Sequence, residues 1–227
     1  MLDKVVASAA EALADVQDGA TILIGGFGIA GIPTELVCAL LDQGARELTI
    51  VNNNGGDGPI GLSQLIAAGR VRKLVSSYAR SVGKTGNAQA FADAWKAGTI
   101  ELECVPQGLL AERMRAAAAG NGPFFTPTGY GTLLAEGKET RVIDGRGYVL
   151  EQPLAGDFGL VRALHGDRWG NLVFNKAERN FNPVVAMASR VAVAQVESIV
   201  PLGAIDPEGV QLPGIFVQRV VRREHAQ

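Results

Sequence analysis

The chain has 227 residues, of which 47% are hydrophobic and 19% charged, and its formal net charge is −2. This balance predicts a globular chain and argues against a disordered protein or a basic nucleic-acid-binding surface. With no run of about 18 apolar residues and no basic segment leading into an apolar one, we expect a cytoplasmic protein without a membrane span or signal peptide. The length suits one large domain, so we expect residues 1–227 to form a single α/β domain.

Strands alternate with helices over the first 120 residues. The apolar spacing predicts a helix over residues 4–16, a strand Thr21–Ile24, a helix over 33–42, a strand Leu48–Val51, a short helix over 60–68, a strand Val71–Ser76, a helix over 88–97, a strand over 100–105 and a helix over 109–119. Such βαβ units predict a mainly parallel sheet with helices on both faces, which is a three-layer sandwich.

The pattern changes after residue 120. We expect a long loop over 123–131, shorter strands over 141–144, 148–150, 158–164 and 172–174, a helical turn over 183–188, and strands over 191–196 and 215–221. Because no flexible linker separates the two halves, we interpret these elements as an addition that closes the same sheet.

Four glycines follow the first predicted strand within seven positions, and Pro33 then opens a helix. A strand, a glycine loop and a helix N-terminus in this order are typical of an anion site, with backbone N–H groups pointing outward and the helix dipole favouring negative charge. A ligand phosphate can approach bare backbone where Cβ atoms are missing. The alternative is a loop whose glycines only let a helix pack against the sheet.

The same loop formally matches the dinucleotide fingerprint G-x-G-x-x-G between Gly26 and Gly31. A dinucleotide site also needs an acidic residue at the end of the second strand, to hold the ribose hydroxyls. That strand ends here in Asn52-Asn53-Asn54, so a dinucleotide-dependent oxidoreductase is an alternative that the sequence disfavours.

Amide side chains stand at the predicted carboxyl ends of two strands. Asn53 and Asn54 follow the second strand, and Gln107 follows the fourth. Carboxamide N–H groups suit a carbonyl oxygen that gains negative charge during acyl transfer, whereas consecutive asparagines also serve turns. The sequence leaves these two interpretations open.

No nucleophile accompanies these groups. The chain has no G-x-S-x-G elbow, no Cys/His pair and no H-E-x-x-H motif, and its two histidines predict no metal site. We expect Cys38 and Cys104 to be buried, inert thiols, and Glu112, Arg113 and Arg115 to form an exposed salt-bridged helix face. The chain therefore looks like an incomplete active site.

Motifs spread over the whole chain occur together in one known family. They are Asp18-Gly19, Gly25-Gly26-Phe27 with Gly31 and Pro33, Asn53-Asn54, Val105-Pro106-Gln107-Gly108 with Ala111-Glu112-Arg113, Thr128-Gly129-Tyr130-Gly131-Thr132, Gly137-Lys138-Glu139-Thr140-Arg141, Asp167-Arg168-Trp169-Gly170-Asn171-Leu172, Asn180-Phe181-Asn182-Pro183 and Pro213-Gly214-Ile215-Phe216-Val217. On these residues the chain resembles the A-type subunit of the 3-oxoacid CoA-transferases, which are family I CoA-transferases.

The resemblance implies an α/β sandwich and a partner, the B-type subunit, which carries the nucleophilic glutamate in a Ser-Glu-Asn-Gly motif. This chain lacks that motif, and its nearest segment, Ala135-Glu136-Gly137, has neither the serine nor the asparagine. The implied reaction is ping-pong CoA transfer from succinyl-CoA to a 3-oxo acid through a glutamyl-CoA intermediate on the partner. CoA would be a co-substrate rather than a bound cofactor, and the assembly a heterodimer or an A2B2 heterotetramer.

The resemblance also implies site residues. It assigns CoA binding to Gly25, Gly26, Phe27, Gly28, Ile29, Ala30 and Gly31, and polarisation of the reacting carbonyl to Asn53, Asn54 and Gln107. The short segment 129–140 favours the 3-oxoadipate branch, with acetoacetate as the next candidate acceptor. A non-catalytic CoA- or phosphate-binding module of the same fold is a further alternative.

Overall fold

A computed structural model describes residues 2–55, 61–79 and 88–224. The helices are α1 (Ala9–Ala12), α2 (Thr34–Gln43), α3 (Leu62–Ala67), α4 (Ala88–Lys96), α5 (Gln107–Ala118) and α6 (Asn182–Met187). The strands are β1 (Thr21–Ile24), β2 (Leu48–Val51), β3 (Val71–Ser76), β4 (Glu101–Cys104), β5 (Phe124–Thr126), β6 (Thr140–Ile143), β7 (Arg146–Glu151), β8 (Gly156–Gly166), β9 (Leu172–Val173), β10 (Ser189–Ile199) and β11 (Arg219–Arg222).

The central sheet has eight strands in the order β11-β10-β8-β1-β2-β3-β4, with β9 paired to β8 outside this path. Neighbours along the path run parallel, and β9 runs antiparallel to β8. The predicted mainly parallel α/β sheet is therefore confirmed. The sheet grows from β1 toward β4 and later from β8 toward β11, so the topological switch point lies between β1 and β8.

Side chains alternate between the two faces of the sheet and build two cores. Ile22 and Ile24 of β1 belong to the core that also contains buried residues of α1, α2, α3 and α4. Leu23, between them, belongs to the second core, together with buried residues of α5 and α6. Because strand side chains alternate with a period of two, each core fills one face of the sheet, which gives the predicted three layers.

The N-terminal helix is shorter than predicted. Only Ala9–Ala12 is helical, and Ser8 caps it by accepting a hydrogen bond from the Glu11 N–H at 3.1 Å. Val5 instead forms a parallel bridge to Val220. The apolar stripe predicted as helix is therefore divided between a short helix and an extension of the sheet.

The second half departs from prediction in two places. The expected loop over 123–131 contains β5, which joins β7 and β6 in a separate antiparallel sheet, so only β8, β9, β10 and β11 extend the central sheet. The expected strand over 215–221 is a 3₁₀ turn, Gly214–Phe216, followed by β11. Residue 60, the predicted start of the third helix, lies outside the described residues. None of the described helices has the length and apolar character of a membrane span.

A charge network fastens the antiparallel sheet to the central one. Arg113 of α5 was predicted to be exposed, but it is 8% exposed and binds Glu103 of β4 at 2.6 Å. Its Nε lies 3.8 Å from Glu151 of β7, which also accepts a hydrogen bond from Lys138 at 2.5 Å. Only Glu112 and Arg115 form the predicted exposed pair.

The ionisation of Glu103 follows from these contacts. Burial of Glu103 disfavours its charge, but the hydrogen bonds from Lys73 and Arg113 outweigh it and hold the pKa of this carboxyl below its ordinary value. Glu103 therefore stays charged at neutral pH, and Arg113 keeps its partner there.

Removing the Glu151 charge tests this fastening. We expect Glu151→Gln to lower the free energy of unfolding by about 2 kcal/mol, because the buried Arg113 and the exposed Lys138 lose a shared buried carboxylate. The measurement is urea denaturation of the purified chain. The matched control is Glu139→Gln, whose exposed partner Arg141 contributes at most about 0.5 kcal/mol. Equal effects of the two substitutions would contradict a role for the network.

Candidate functional site

The glycine loop leaves β1 at the switch point of the sheet. The Gly25 N–H donates to the Leu160 carbonyl of β8 at 2.9 Å, which continues the pairing of the two strands by one residue. Phe27 and Ala30 then exchange two backbone hydrogen bonds of 2.9 and 3.0 Å across a two-residue turn. Gly28 has φ +59° there, a left-handed conformation that glycine adopts without a Cβ penalty.

Asn182 fills the space on one side of this loop. It is fully buried at the first position of α6, accepts a hydrogen bond from the Arg162 N–H at 2.9 Å and donates to the carbonyls of Gly31 (3.0 Å) and Glu178 (2.7 Å). A Cβ at position 25 would overlap Asn182 Oδ1, and one at position 31 would overlap the Glu178 carbonyl. Two of the loop glycines are thus required by close packing.

The glycine loop has fewer backbone N–H groups free to bind a ligand than the sequence predicts. The N–H groups of Gly25, Phe27, Gly28 and Ala30 all donate to acceptors within the protein. Packing against α6, the alternative weighed from the sequence, therefore accounts for part of the loop composition. The space beside Gly28 is open, since a Cβ there would meet no atom within 4 Å.

The three predicted amide side chains lie together and reach the glycine loop. Gln107 Nε2 donates to Asn53 Oδ1 at 3.0 Å, and Asn53 Nδ2 donates to Asn54 Oδ1 at 2.8 Å. The Gly28 N–H donates to the same Asn54 oxygen at 3.0 Å. We call this series of bonds the amide chain. It joins the carboxyl ends of β2 and β4 to the turn of the glycine loop.

Buried backbone contacts position the amide chain. Asn53 is 1% exposed, and its carbonyl accepts hydrogen bonds from Ser76 Oγ (3.2 Å) and the Tyr78 N–H (3.0 Å). Asn52 Nδ2 donates to the Ile24 carbonyl at 2.8 Å and so ties the end of β2 to β1. Gln107 is the first residue of α5, two residues before the predicted start of this helix, because Pro106 already occupies the N-cap position.

The amide chain presents neutral hydrogen-bond donors. Since Asn54 Oδ1 accepts two bonds, its Nδ2 is the remaining donor, and no acceptor for it is found among residues 2–55, 61–79 and 88–224. A preorganised donor of this kind stabilises a carbonyl oxygen that gains negative charge. Phe27 and Ile29, which are 46% and 80% exposed, flank Gly28 in the chain, and Tyr78, which is 47% exposed, forms a β-bridge with Asn54.

Other reactive groups are placed differently from prediction. Cys104 is exposed because β4 is the outermost strand of the sheet, and Cys38 is half-buried in α2. Burial raises the pKa of the Cys38 thiol, which disfavours the thiolate. In the part of the chain that the structure describes, no three His, Cys, Asp or Glu side chains form a group that could hold a metal ion.

Sequence reasoning missed the residues that hold the glycine loop from outside. Asn180 Nδ2 donates to the Ala30 carbonyl at 3.1 Å, and Asn182 binds Gly31. Beyond them, Glu197 of β10 binds Arg162 and Arg223 at 2.6 and 2.8 Å. Burial opposes the charge of Glu197, but these two hydrogen bonds hold the pKa of its carboxyl below the ordinary value. Two asparagines flanking Phe181 before a helix-opening proline were the only signal in the sequence.

Residues 6–223 match the family described as Coenzyme A transferase, so the chain belongs to that family. The A-type subunit of the 3-oxoadipate CoA-transferase of Pseudomonas putida is 57% identical over 221 residues, which are 97% of this chain and 94% of the relative. The A-type subunit of the succinyl-CoA:3-ketoacid coenzyme A transferase of Xanthomonas campestris pv. campestris (strain B100) is 51% identical over 216 residues, which are 95% and 87% of the two chains.

A solved structure shares the fold. The acyl-CoA transferase apoenzyme of Escherichia coli O157:H7 superposes with a TM-score of 0.84 at 25% identity, and the match covers 97% of this chain and 47% of that chain. This chain therefore spans about half of that protein. Neither the dinucleotide-dependent oxidoreductase nor the non-catalytic module gains support from these comparisons.

A double-mutant cycle tests the packing of Asn182 against the glycine loop. We expect Gly25→Ala to destabilise the chain by about 2 kcal/mol, because the new methyl group displaces a buried, hydrogen-bonded amide. In an Asn182→Ala background, which removes the overlapped atoms, the same substitution should cost less by about 1.5 kcal/mol. The measurement is chemical denaturation of the four proteins. Additive effects would show that Gly25 is required for some other reason.

Proposed function

We propose that this chain is the A-type subunit of a CoA-transferase that moves CoA from succinyl-CoA to a 3-oxo acid, with 3-oxoadipate favoured and acetoacetate next. The observation that carries the proposal is the amide chain, which joins Asn53, Asn54 and Gln107 to the glycine loop without a nucleophile among them. The names of the two relatives, both A-type subunits, support this substrate class and the division of the enzyme into two kinds of chain.

The nucleophile comes from the B-type subunit, in a heterodimer or an A2B2 heterotetramer. The partner's glutamate attacks the succinyl-CoA carbonyl and releases CoA thiolate, leaving a succinyl-glutamyl anhydride. The thiolate attacks the glutamyl carbonyl of this anhydride and releases succinate, leaving glutamyl-CoA. The 3-oxo acid carboxylate then attacks the glutamyl carbonyl of glutamyl-CoA and releases the thiolate, leaving a second anhydride. The thiolate attacks the 3-oxoacyl carbonyl of this anhydride, which forms the 3-oxoacyl-CoA and releases the glutamate. Each step passes through a tetrahedral oxyanion.

This chain supplies groups that bind and stabilise. Asn54 Nδ2 donates to the oxyanion, while Asn53 and Gln107 hold that carboxamide in place and polarise it through successive hydrogen bonds. The segment 25–31 binds CoA as a co-substrate, with no permanently bound cofactor, and its open side at Gly28 is the point of closest approach. Residues 1–227 form one domain of a cytoplasmic enzyme.

Reconstitution tests the reaction. We expect the purified chain, co-expressed with a partner that carries Ser-Glu-Asn-Gly, to transfer CoA from succinyl-CoA to 3-oxoadipate faster than to acetoacetate. Neither chain alone should transfer CoA. A preference for acetoacetate would overturn the choice of substrate, and absence of transfer to either acid would overturn the function.

Truncation of the amide chain tests the role of its members. We expect Asn54→Ala to lower kcat by about 100-fold with little change in KM, because the lost donor acts on charge that develops in the transition state. Gln107→Ala should lower kcat by about tenfold, because Gln107 acts on that donor only through Asn53. Steady-state kinetics of the assembled enzyme measures both constants. Gln89→Ala, which removes an exposed carboxamide on α4 paired with Asp93, is the matched control and should leave kcat unchanged. A rise in KM alone would assign these amides to binding instead.

A further inference from the structure

Two exposed cations lie on a short 3₁₀ helix beside the glycine loop. Lys176 and Arg179 are the first and last residues of the 3₁₀ helix Lys176–Arg179, and both are exposed. Only two residues separate Lys176 from Arg179, so the two positive charges belong to one short segment of the chain. Glu178 is turned to Arg162, 3.8 Å away. Within the described ranges, neither Lys176 nor Arg179 has an ion-pair partner.

This helix is attached to the glycine loop by specific contacts. Asn180, directly after the helix, donates to the Ala30 carbonyl at 3.1 Å. Asn182 donates to the carbonyls of Gly31 at 3.0 Å and Glu178 at 2.7 Å, so a single side chain bonds both the loop and the helix. The close approach of the Glu178 carbonyl to Gly31 leaves no room for a Cβ. The segment that carries the two cations is therefore held at a fixed place along the edge of the loop.

The backbone at Lys176 is unusual for its residue type. Lys176 has φ +49°, in the left-handed region that glycine and asparagine tolerate best. Asparagine would suit this left-handed position, but Asn175 stands one position earlier, where the backbone is extended. Lys176 occupies the strained position instead. A lysine in an unfavourable conformation, three residues before an arginine that has no ion-pair partner within the described ranges, indicates that its side chain is needed there.

We infer that Lys176 and Arg179 form a subsite for a phosphate group of CoA, at the outer edge of the glycine loop. The inference rests on the proposed function and deepens it. A phosphate carries more negative charge than a carboxylate and accepts hydrogen bonds from an arginine fork and a lysine ammonium at once. The carboxylate of the acid substrate is the competing anion, and the kinetic test separates the two.

The test uses the assembled enzyme and a pair of thioesters. Succinyl-CoA carries the phosphates, and succinyl-pantetheine has the same reacting carbonyl without them. We expect the double variant Lys176→Gln/Arg179→Gln to raise KM for succinyl-CoA by about tenfold, with kcat within about twofold, because two charge-assisted contacts are lost. KM for succinyl-pantetheine should not change. Lys96→Gln, an exposed lysine on α4, is the matched control and should change neither constant.

Each other outcome has a definite meaning. An unchanged KM for succinyl-CoA in an active enzyme overturns the subsite and leaves the proposed function standing. An equal rise for both thioesters, or a rise in KM for the 3-oxo acid alone, also overturns it, because the cations then act on something other than phosphate. If the unmodified assembly transfers no CoA, the proposed function fails and this inference fails with it. Succinyl-dephospho-CoA, which lacks only the 3′-phosphate, identifies the phosphate that is bound. If the subsite binds the 3′-phosphate, the double variant should not change KM for this thioester; if it binds the pyrophosphate, KM should still rise.

Discussion

The side chain of Asn182 is the contact on which the site geometry depends. Its carboxamide bonds the backbone of β8, the glycine loop and the 3₁₀ helix that precedes α6, and it is fully buried while doing so. A buried amide with all these bonds made is stable, whereas the same group with one bond missing is costly. The loop therefore has one favourable position relative to the sheet. Since the Gly28 N–H bonds Asn54, that position also determines where the amide chain ends.

The amide chain is a consequence of the parallel topology of the sheet. Parallel strands bring the carboxyl ends of β2 and β4 to the same edge, although 54 residues separate Asn53 from Gln107. Each carboxamide donates to the next, so the donor at Asn54 is oriented by neighbours that are themselves held by the backbone. All of these groups are neutral at any physiological pH. Under the proposed function, the pH dependence of transfer therefore belongs to the partner's glutamate and to the substrates.

Local patterns predicted the strands well and the packing around the site poorly. Strands β1, β2 and β3 have the predicted bounds because their apolar runs are local signals, ended by Gly25 after β1 and by Asn52 after β2. The proximity of Asn53, Asn54 and Gln107 followed from the parallel topology. Asn182 was not singled out, because its partner Gly31 lies 151 residues away and no local pattern reports such a contact. The prediction for Arg113 was wrong for a similar reason: its helix spacing suggests an exposed face, but its partners Glu103 and Glu151 lie on strands outside the helix, β4 and β7.

Division of the site between two chains has a physical consequence under the proposed function. On this chain the Asn54 end of the amide chain is only partly buried, where water competes for its donor and the high dielectric weakens its effect on a developing charge. The neighbouring side chains of Phe27, Ile29 and Tyr78 are apolar and exposed, so a partner that covers them removes water from the amides as it brings the glutamate. The same contact that supplies the nucleophile then strengthens the oxyanion donor. Reactive acyl anhydrides would then form only in a site from which water has been displaced. An unassembled chain would neither transfer CoA nor hydrolyse the thioester of an acyl-CoA.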